Sequence, residues 1–266
     1  MQNARLVAEA NARLDHVCGL VAQARWPLCP LNGAVLAVPA IVSDRDDGAQ
    51  QWGLVAREDL ARAEGAFRLR FPVYTLVGGV EMLPGGFTFF ERFAAEKGAQ
   101  RLGKSFPLNP DLQPAAVGQE VEKAARWVFG SLLPYHVFKQ TRTDAAADSR
   151  ENASLVRFLI ELRRRAPRLA RLVGRALGSE HAVPVFGGCY LAVSLPGEAA
   201  DVKFAREFFK KVESSQGYVA WTDAAYAEDA SYRSMTRMGY LALAAIALGV
   251  LALAGYVGYE QFMAKK

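Results

Sequence analysis

The feature that most constrains this chain is an uninterrupted apolar stretch near its C-terminus, residues 239–259, with the sequence GYLALAAIALGVLALAGYVGY. It contains no charged residue, and its length matches the ~20 apolar residues that cross the hydrocarbon core of a bilayer as a helix. Inside lipid the backbone must satisfy its own hydrogen bonds, which favours a helix. The alternative is a helix in a protein core, but the stretch is about twice the length of a typical globular helix. We therefore predict one transmembrane helix at 239–259.

The rest of the chain is expected to lie on one side of this membrane. Only residues 260–266 follow the apolar stretch, so we expect a short tail there. The opening residues MQNARLVAEANARLDH carry charges and do not resemble a hydrophobic signal sequence. Basic residues flank the stretch equally, Arg233 and Arg237 before it and Lys265 and Lys266 after it, so the positive-inside comparison does not set its orientation. The lack of a signal sequence favours a cytoplasmic location for most of the chain.

Positive charge is concentrated in one predicted helix. The chain carries a net charge of +5, and residues 157–175 contain seven arginines and one glutamate. Such a helix is compatible with anionic lipid, an acidic protein partner, nucleic acid or simply a solvated helix face. We expect no nucleic acid partner. The candidate contacts to a partner or to lipid are Arg163, Arg164, Arg165, Arg168, Arg171 and Arg175.

Catalytic and metal-binding patterns are not apparent. Cys18, Cys29 and Cys189 are odd in number and widely spaced, which favours reduced thiols over disulfides or a zinc site. The three histidines are far apart and lack metal-ligand spacing. We therefore expect no cofactor, no metal and no enzymatic activity.

Alternating helical and apolar patterns in the first half predict a parallel α/β sheet. Helices are expected at 2–25 and 49–66, and an acidic loop at 43–48 precedes the second of them. Short apolar runs at 33–39 and 71–77 predict strands buried on both faces. A third apolar run at 185–195 predicts a further strand.

The remaining segments are predicted from helical periodicity and from the positions of proline and glycine, which mark where helices end. A polar linker at 141–149 is the candidate boundary between an α/β region at 1–140 and a helical, mixed subdomain at 141–236. Thr222-Asp223 is expected to cap a final helix that runs into the membrane. The other expected elements are a helix at 87–97, a connection at 98–114, a helix at 115–133 ended by Pro134, a helix at 152–178 broken near Pro167, a helix at 201–212 and an extended segment at 217–221.

One segment fits the phosphate-loop pattern G-x-x-x-x-G-K-[ST], with Gly98, Gly103, Lys104 and Ser105 at its fixed positions. A working loop needs a strand before it and a helix beginning at the lysine. Here the preceding residues are helical in pattern, and Pro107 and Pro110 oppose a following helix. A membrane-tethered NTPase that uses this segment is therefore kept as an alternative to a non-catalytic protein, together with a peripheral protein that binds anionic lipid.

Three ordered sequence blocks resemble the cytoplasmic part of TssM/IcmF proteins, the large inner-membrane component of bacterial type VI secretion systems. The blocks are WPLCPLNG at 26–33, FPVYTLVGGVE at 71–81 with LPGGFTFF at 83–90, and FGGCYLA at 186–192. The resemblance covers roughly residues 12–260. The positions that match the family patterns are Pro30, Asn32, Gly33, Pro72, Tyr74, Glu81, Gly86, Phe87, Gly188 and Tyr190.

The resemblance implies an incomplete P-loop-GTPase-like α/β sheet without a functional phosphate loop, a helical addition and one C-terminal transmembrane helix. Gly78 and Gly79 stand where the family has Thr-Lys, and only Glu81 retains an acid at the base-reading position. The family therefore implies a non-catalytic scaffold in the bacterial inner (cytoplasmic) membrane, single-pass, with its bulk in the cytoplasm. Its implied partners are secretion-complex membrane and baseplate subunits such as TssL, and homo-oligomerisation is possible. An open sheet edge at 33–39 or 71–77 would allow another chain to complete the sheet.

Overall fold

The computed structural model describes residues 2–26, 28–93, 95–108, 114–143, 149–178, 185–195 and 201–263. The chain forms two compact units, Met1–Ala220 and Trp221–Lys266. This division does not coincide with the predicted boundary at residue 141, whose linker lies partly outside the described residues. The helix Ser149–Leu177, which follows that boundary, packs against helices that precede it.

The first unit is a mixed α/β fold, as predicted, and the second is one long helix. The helices are α1 (Gln2–Arg25), α2 (Asp46–Phe67), α3 (Gly86–Glu91), α4 (Ala95–Ala99), α5 (Pro114–Trp127), α6 (Leu133–Thr143), α7 (Ser149–Leu177), α8 (Ala205–Glu213) and α9 (Asp223–Met263). The strands are β1 (Ala34–Pro39), β2 (Leu69–Arg70), β3 (Pro72–Gly78), β4 (Leu102–Ser105), β5 (Val185–Leu191), β6 (Val193–Leu195), β7 (Asp201–Lys203) and β8 (Ala220–Trp221).

The three predicted apolar strands are confirmed and form most of one sheet. Its order is β1-β3-β5-β4, with β1, β3 and β5 parallel and β4 antiparallel to β5. Strand β3 is central and almost wholly buried, as its continuous apolar sequence predicts. The prediction that β1 is buried on both faces is wrong, because β1 lies at the sheet edge and exposes Val35, Ala37 and Pro39 on one side.

Two predicted segments differ from the structure because each contains a short strand. The segment 98–114, predicted as a connection, contains β4. The segment 201–212, predicted as a helix, begins with β7, which pairs with β6 before α8 starts at Ala205. Strands of three or four residues are too short to show a clear periodic pattern, and pairing with a neighbour decides their conformation.

Helix boundaries also differ from the prediction near polar and aromatic residues. The expected loop at 43–48 is a 3-10 turn (Ala40–Asp44) followed at once by α2, whose first turn carries Asp46 and Asp47. These carboxylates favour a helix N-terminus because they face its positive dipole end. The expected helix at 87–97 is two short helices, α3 and α4.

Two prolines that were predicted to interrupt helices are accommodated within helical structure. A π-helical turn at Val128–Leu132 precedes Pro134, and the Leu133 N–H donates to the Val128 carbonyl, so the chain continues into α6. Such a turn adds a residue between hydrogen-bonded partners and relieves the clash that a proline ring makes with the preceding turn. Helix α7 likewise continues through Pro167. Both predicted helix breaks are therefore wrong.

The main core lies between one sheet face and the helices α2, α5 and α7. Strand residues such as Val73, Val77 and Cys189 join side chains of α5 and α7 in one buried cluster. Helix α7 approaches both neighbours closely, because a Cβ at Gly53 of α2 would lie 2.9 Å from the Leu172 carbonyl oxygen. A Cβ at Gly174 would lie 2.8 Å from the Gly118 carbonyl oxygen of α5. Small residues at these crossings let the helices contact each other through their backbones.

The opposite sheet face carries a smaller cluster. Tyr74 of β3 and Tyr190 of β5 pack against Phe208 of α8, and all three are fully buried. The Tyr190 hydroxyl lies 2.8 Å from the Ser105 hydroxyl of β4. On this face, within the described residues, α8 covers β3 and β5 while the outward side of β1 stays exposed.

Candidate membrane-anchoring and docking site

Helix α9 contains the predicted membrane segment. Within the described residues, one helix is long and apolar enough to cross a membrane, Asp223–Gly255, and none of its most apolar window is buried in protein. The helix is continuous from Asp223 to Met263, which confirms that the predicted last helix runs directly into the apolar stretch. The end of the predicted tail, 264–266, lies outside the described residues. An apolar surface of this size without a protein partner is suited to lipid.

The predicted arginine contacts divide into an inward and an outward set. Arg165 is buried and pairs with Asp44 and Glu161. Arg168 donates to the Asp44 carbonyl oxygen at 2.7 Å and lies 3.3 Å from an Asp46 carboxylate oxygen. These contacts hold the middle of α7 against the turn that begins α2. The sequence did not predict this arrangement, because the paired residues are separated by more than 100 positions.

Two further arginines extend the same contact toward the end of α7. Arg171 bonds to Asp46 at 2.5 Å, and Arg175 donates to the Gln50 amide oxygen at 3.2 Å. Arg163 and Arg164 instead point to solvent, and Arg164 lies 3.7 Å from Glu161. We call Arg165, Arg168, Arg171 and Arg175 the arginine clamp. Its members contact the first residues of α2 or the turn before it, although Arg171 and Arg175 are also exposed to solvent. Arg163 and Arg164 are the predicted partner-contact arginines that lie outside the clamp.

The segment that matches the phosphate-loop pattern has a different geometry. Gly103, Lys104 and Ser105 lie in β4, paired with β5, and Gly98 lies in α4. The Lys104 ammonium lies 4.5 Å from the Trp127 ring centroid and 5.4 Å from that of Phe106. A phosphate loop would require this lysine at the start of a helix. Residues 98–105 therefore lack the strand-loop-helix arrangement, while Pro110 lies outside the described residues.

Several family-motif positions maintain the sheet core. Tyr74 and Tyr190 form the small cluster with Phe208, and Pro72 is buried at the start of β3. A Cβ at Gly188 would lie 2.6 Å from the Lys104 carbonyl oxygen, so only glycine fits between β5 and β4. A Cβ at Gly33 would lie 3.3 Å from the Pro72 carbonyl oxygen. The motif residues of these strands are therefore brought together by packing.

The other motif positions lie around the ends of the strands. The Ser194 N–H donates to a carboxylate oxygen of Glu81 at 3.1 Å, which ties the turn after β3 to β6. Gly86 follows this turn, and a Cβ there would lie 2.5 Å from the Val80 carbonyl oxygen. Asn32 lies 3.4 Å from the Gln216 amide oxygen. Pro30 is half-buried and Phe87 is exposed.

Metal-binding geometry is not found in the part of the chain that the structure describes: no group of three or more histidine, cysteine, aspartate or glutamate side chains is suited to hold an ion there. Cys18, Cys29 and Cys189 are all free thiols, as predicted. Burial raises the pKa of the Cys189 thiol to about 12, which keeps it protonated and unreactive.

Glu64 is a buried carboxyl that sequence inspection did not single out. Burial raises its pKa from 4.5 to about 7, and nearby Arg70 opposes that rise. The folded state therefore binds more protons than the unfolded state between pH 4.5 and 7, so stability falls as pH rises through this window. We expect Glu64→Gln to remove this loss and to raise the free energy of unfolding at pH 8 by roughly 2–3 kcal/mol, with little gain at pH 4.5.

Thermal unfolding of the two proteins at pH 4.5 and pH 8 measures this effect. Glu213→Gln is the control, because Glu213 is exposed on α8. An equal change in midpoint at both pH values would show that the pKa of Glu64 is not raised in the folded state.

Comparison with known proteins identifies the family of the chain. The model of the IcmF-related N-terminal domain matches residues 8–232, which is most of the chain and nearly all of the first unit. The chain belongs to the IcmF-related family. No curated protein and no solved structure matches it significantly.

Proposed function

We propose that this protein is a non-catalytic, membrane-anchored docking component of a type VI secretion-like membrane complex. The observation that carries the proposal is the direct continuation of an IcmF-related α/β unit into the apolar helix α9. A tether of this kind confines the α/β unit to the membrane surface and raises its local concentration near membrane subunits. We place the chain in the bacterial inner membrane, with one crossing and its bulk in the cytoplasm.

The uncovered sheet face supports a docking role. Strand β1 is an edge strand, and Val35 and Ala37 are exposed beside the face that α8 covers at β3 and β5. An edge strand presents unpaired backbone groups, and an exposed apolar side favours burial by a partner. Strand β3 has β1 on one side and β5 on the other. Of the two strands that could have left an open edge for another chain, β1 is therefore the one that does. We propose that a secretion-complex subunit, such as a TssL-like membrane subunit or a baseplate subunit, binds at β1.

The test is recovery of partners with the tagged full-length protein from detergent-solubilised membranes of its native host, read by mass spectrometry. We expect other secretion-complex membrane subunits to be recovered with the wild type. Val35→Lys combined with Ala37→Lys should lower that recovery by about tenfold or more, because charges would replace an apolar contact at the centre of the interface.

The matched control is Val55→Lys combined with Met82→Lys, since both residues are exposed apolar side chains that are not part of β1. Recovery of the protein without any secretion subunit would contradict the docking function. Equal loss with the control pair would show that β1 is not the contact.

A further inference from the structure

A cavity of about 580 Å³ lies in the first unit beside the helices α4 and α6. We call it the basic cavity. Its volume is within the range of small-molecule sites, which is about 300–1,000 Å³. Its lining combines basic side chains with the aromatic side chains of Phe93, His136 and Phe204. Lys104 of the segment that matches the phosphate-loop pattern is not among the lining residues.

The charge of the basic cavity is strongly one-sided. Four of its lining residues are Arg92, Lys97, Arg101 and Lys139, and none of its described lining residues is acidic. Arg92 pairs with Glu151, and Arg101 lies close enough to Glu207 to contribute to lowering the pKa of that carboxyl, so two of the four charges are partly offset. Positive charges that line one partly enclosed space repel one another, and a bound anion lowers that cost. Arginine and lysine side chains together are the usual ligands of phosphate groups.

One wall of the basic cavity is aromatic and fixed in place. The ring centroid of Phe93 lies 5.3 Å from that of Phe204 and 6.3 Å from that of His136. The buried Lys203 ammonium donates to the carbonyl oxygens of Phe90, at 3.2 Å, and Phe93, at 3.0 Å, and so holds the end of α3 and the residues after it. A cavity lined by both packed aromatic rings and basic side chains has the composition expected for an organic ligand with a charged end.

The pKa of His136 reflects the burial and the positive charges of the basic cavity. Burial lowers the pKa of its imidazole, and the charges of Lys139 and Lys97 lower it further. The imidazole therefore presents a neutral ring to the cavity near pH 7.

We propose that the basic cavity binds a phosphorylated small molecule, with its phosphate groups on Lys97, Arg101 and Lys139 and its apolar part against Phe93 and His136. The ligand is either a soluble phosphate ester of the nucleotide type or the headgroup of an acidic phospholipid. Both offer the same phosphate chemistry to the cavity. The inference does not depend on the docking function, which stands or falls by its own experiment.

The test is calorimetric titration of the full-length protein in a nonionic detergent at low salt. The probes are inorganic pyrophosphate, ATP and a short-chain phosphatidylglycerol, with hexaglutamate as an anion without phosphate. We expect saturable binding of at least one phosphate probe, weakened about tenfold or more by Lys97→Gln combined with Arg101→Gln. Both residues are exposed, so the variant should keep its fold. Binding of pyrophosphate or ATP identifies a soluble ligand, and binding of phosphatidylglycerol alone identifies a lipid headgroup.

Arg163→Gln combined with Arg164→Gln is the matched control, because it removes two exposed positive charges of α7 that do not line the basic cavity. This control should leave the affinity unchanged within about twofold. The proposal is overturned if no phosphate probe binds at millimolar concentration, if hexaglutamate binds as tightly, or if the control weakens binding as much as the cavity variant does.

Discussion

Arg165→Met is expected to lower the free energy of unfolding by about 3 kcal/mol. Arg165 is 8% exposed and is the most buried member of the arginine clamp. Its removal leaves Glu161, whose side chain is only 18% exposed, with the long 3.7 Å contact to the exposed Arg164 in place of its buried partner. An ionised carboxylate left in such a site keeps its desolvation cost and loses the attraction that offset it. Thermal unfolding of the full-length protein in detergent, followed by tryptophan fluorescence, measures the loss as a drop in midpoint of roughly 6–12 °C.

Arg164→Met is the control for this result. Arg164 is the neighbouring residue on α7, but its side chain is 58% exposed and lies 3.7 Å from Glu161. Exposed ion pairs contribute about 0–1 kcal/mol, so this variant should remain close to the wild type. Equal destabilisation by the two substitutions would mean that the stability of α7 does not depend on the clamp.

Deletion of residues 239–263 is expected to release the protein from the membrane fraction entirely. The apolar stretch contains eight leucine, isoleucine and valine residues, each of which favours insertion by about 0.3–0.6 kcal/mol at the helix centre. Leu248→Arg combined with Leu251→Arg should have the same effect, because two central arginines oppose insertion by about 5–7 kcal/mol. Alkaline carbonate extraction followed by immunoblotting of pellet and supernatant measures the outcome.

The control places the same charges earlier in the same helix. Ser231→Arg combined with Ser234→Arg changes α9 before its apolar part and should leave the protein in the pellet. Retention of the deleted form in the pellet after extraction would contradict anchoring by the apolar stretch. If the deleted form instead stayed with the membranes before carbonate treatment and was released by it, the α/β unit itself would bind the membrane surface. Arg163 and Arg164 would then be the first residues to test as lipid contacts.

The elements that could be predicted from the sequence are those whose local pattern and tertiary environment agree. The apolar run of β3 is buried on both faces, and the apolar stretch of α9 is the part suited to lipid. The run of β1 has the same pattern but lies at the edge of the sheet. A sequence run does not show how many neighbours a strand will have, so the exposure of Val35 could not be predicted.

The contacts of the arginine clamp and the lining of the basic cavity could not be predicted from the sequence, because both join distant parts of the chain. The density of arginines on α7 was visible, but their partners Asp44 and Asp46 lie in a segment predicted to be a loop. Charge density alone does not distinguish a surface that binds a partner from one that binds the protein's own fold. The basic cavity likewise assembles from α4, α6 and the residues around them, and no single segment shows its charge.

The position of β3 at the centre of the sheet has a consequence for how the protein is made. Strand β3 pairs with β1 soon after synthesis, but its other neighbour, β5, is separated from it by about 100 residues. At about 5–20 residues per second, the ribosome needs roughly 5–20 s to supply β5. During that interval one whole edge of β3 is open to mispairing with other chains. The nascent chain is therefore expected to need a chaperone until residue 191 has emerged, shortly before the apolar helix itself leaves the ribosome.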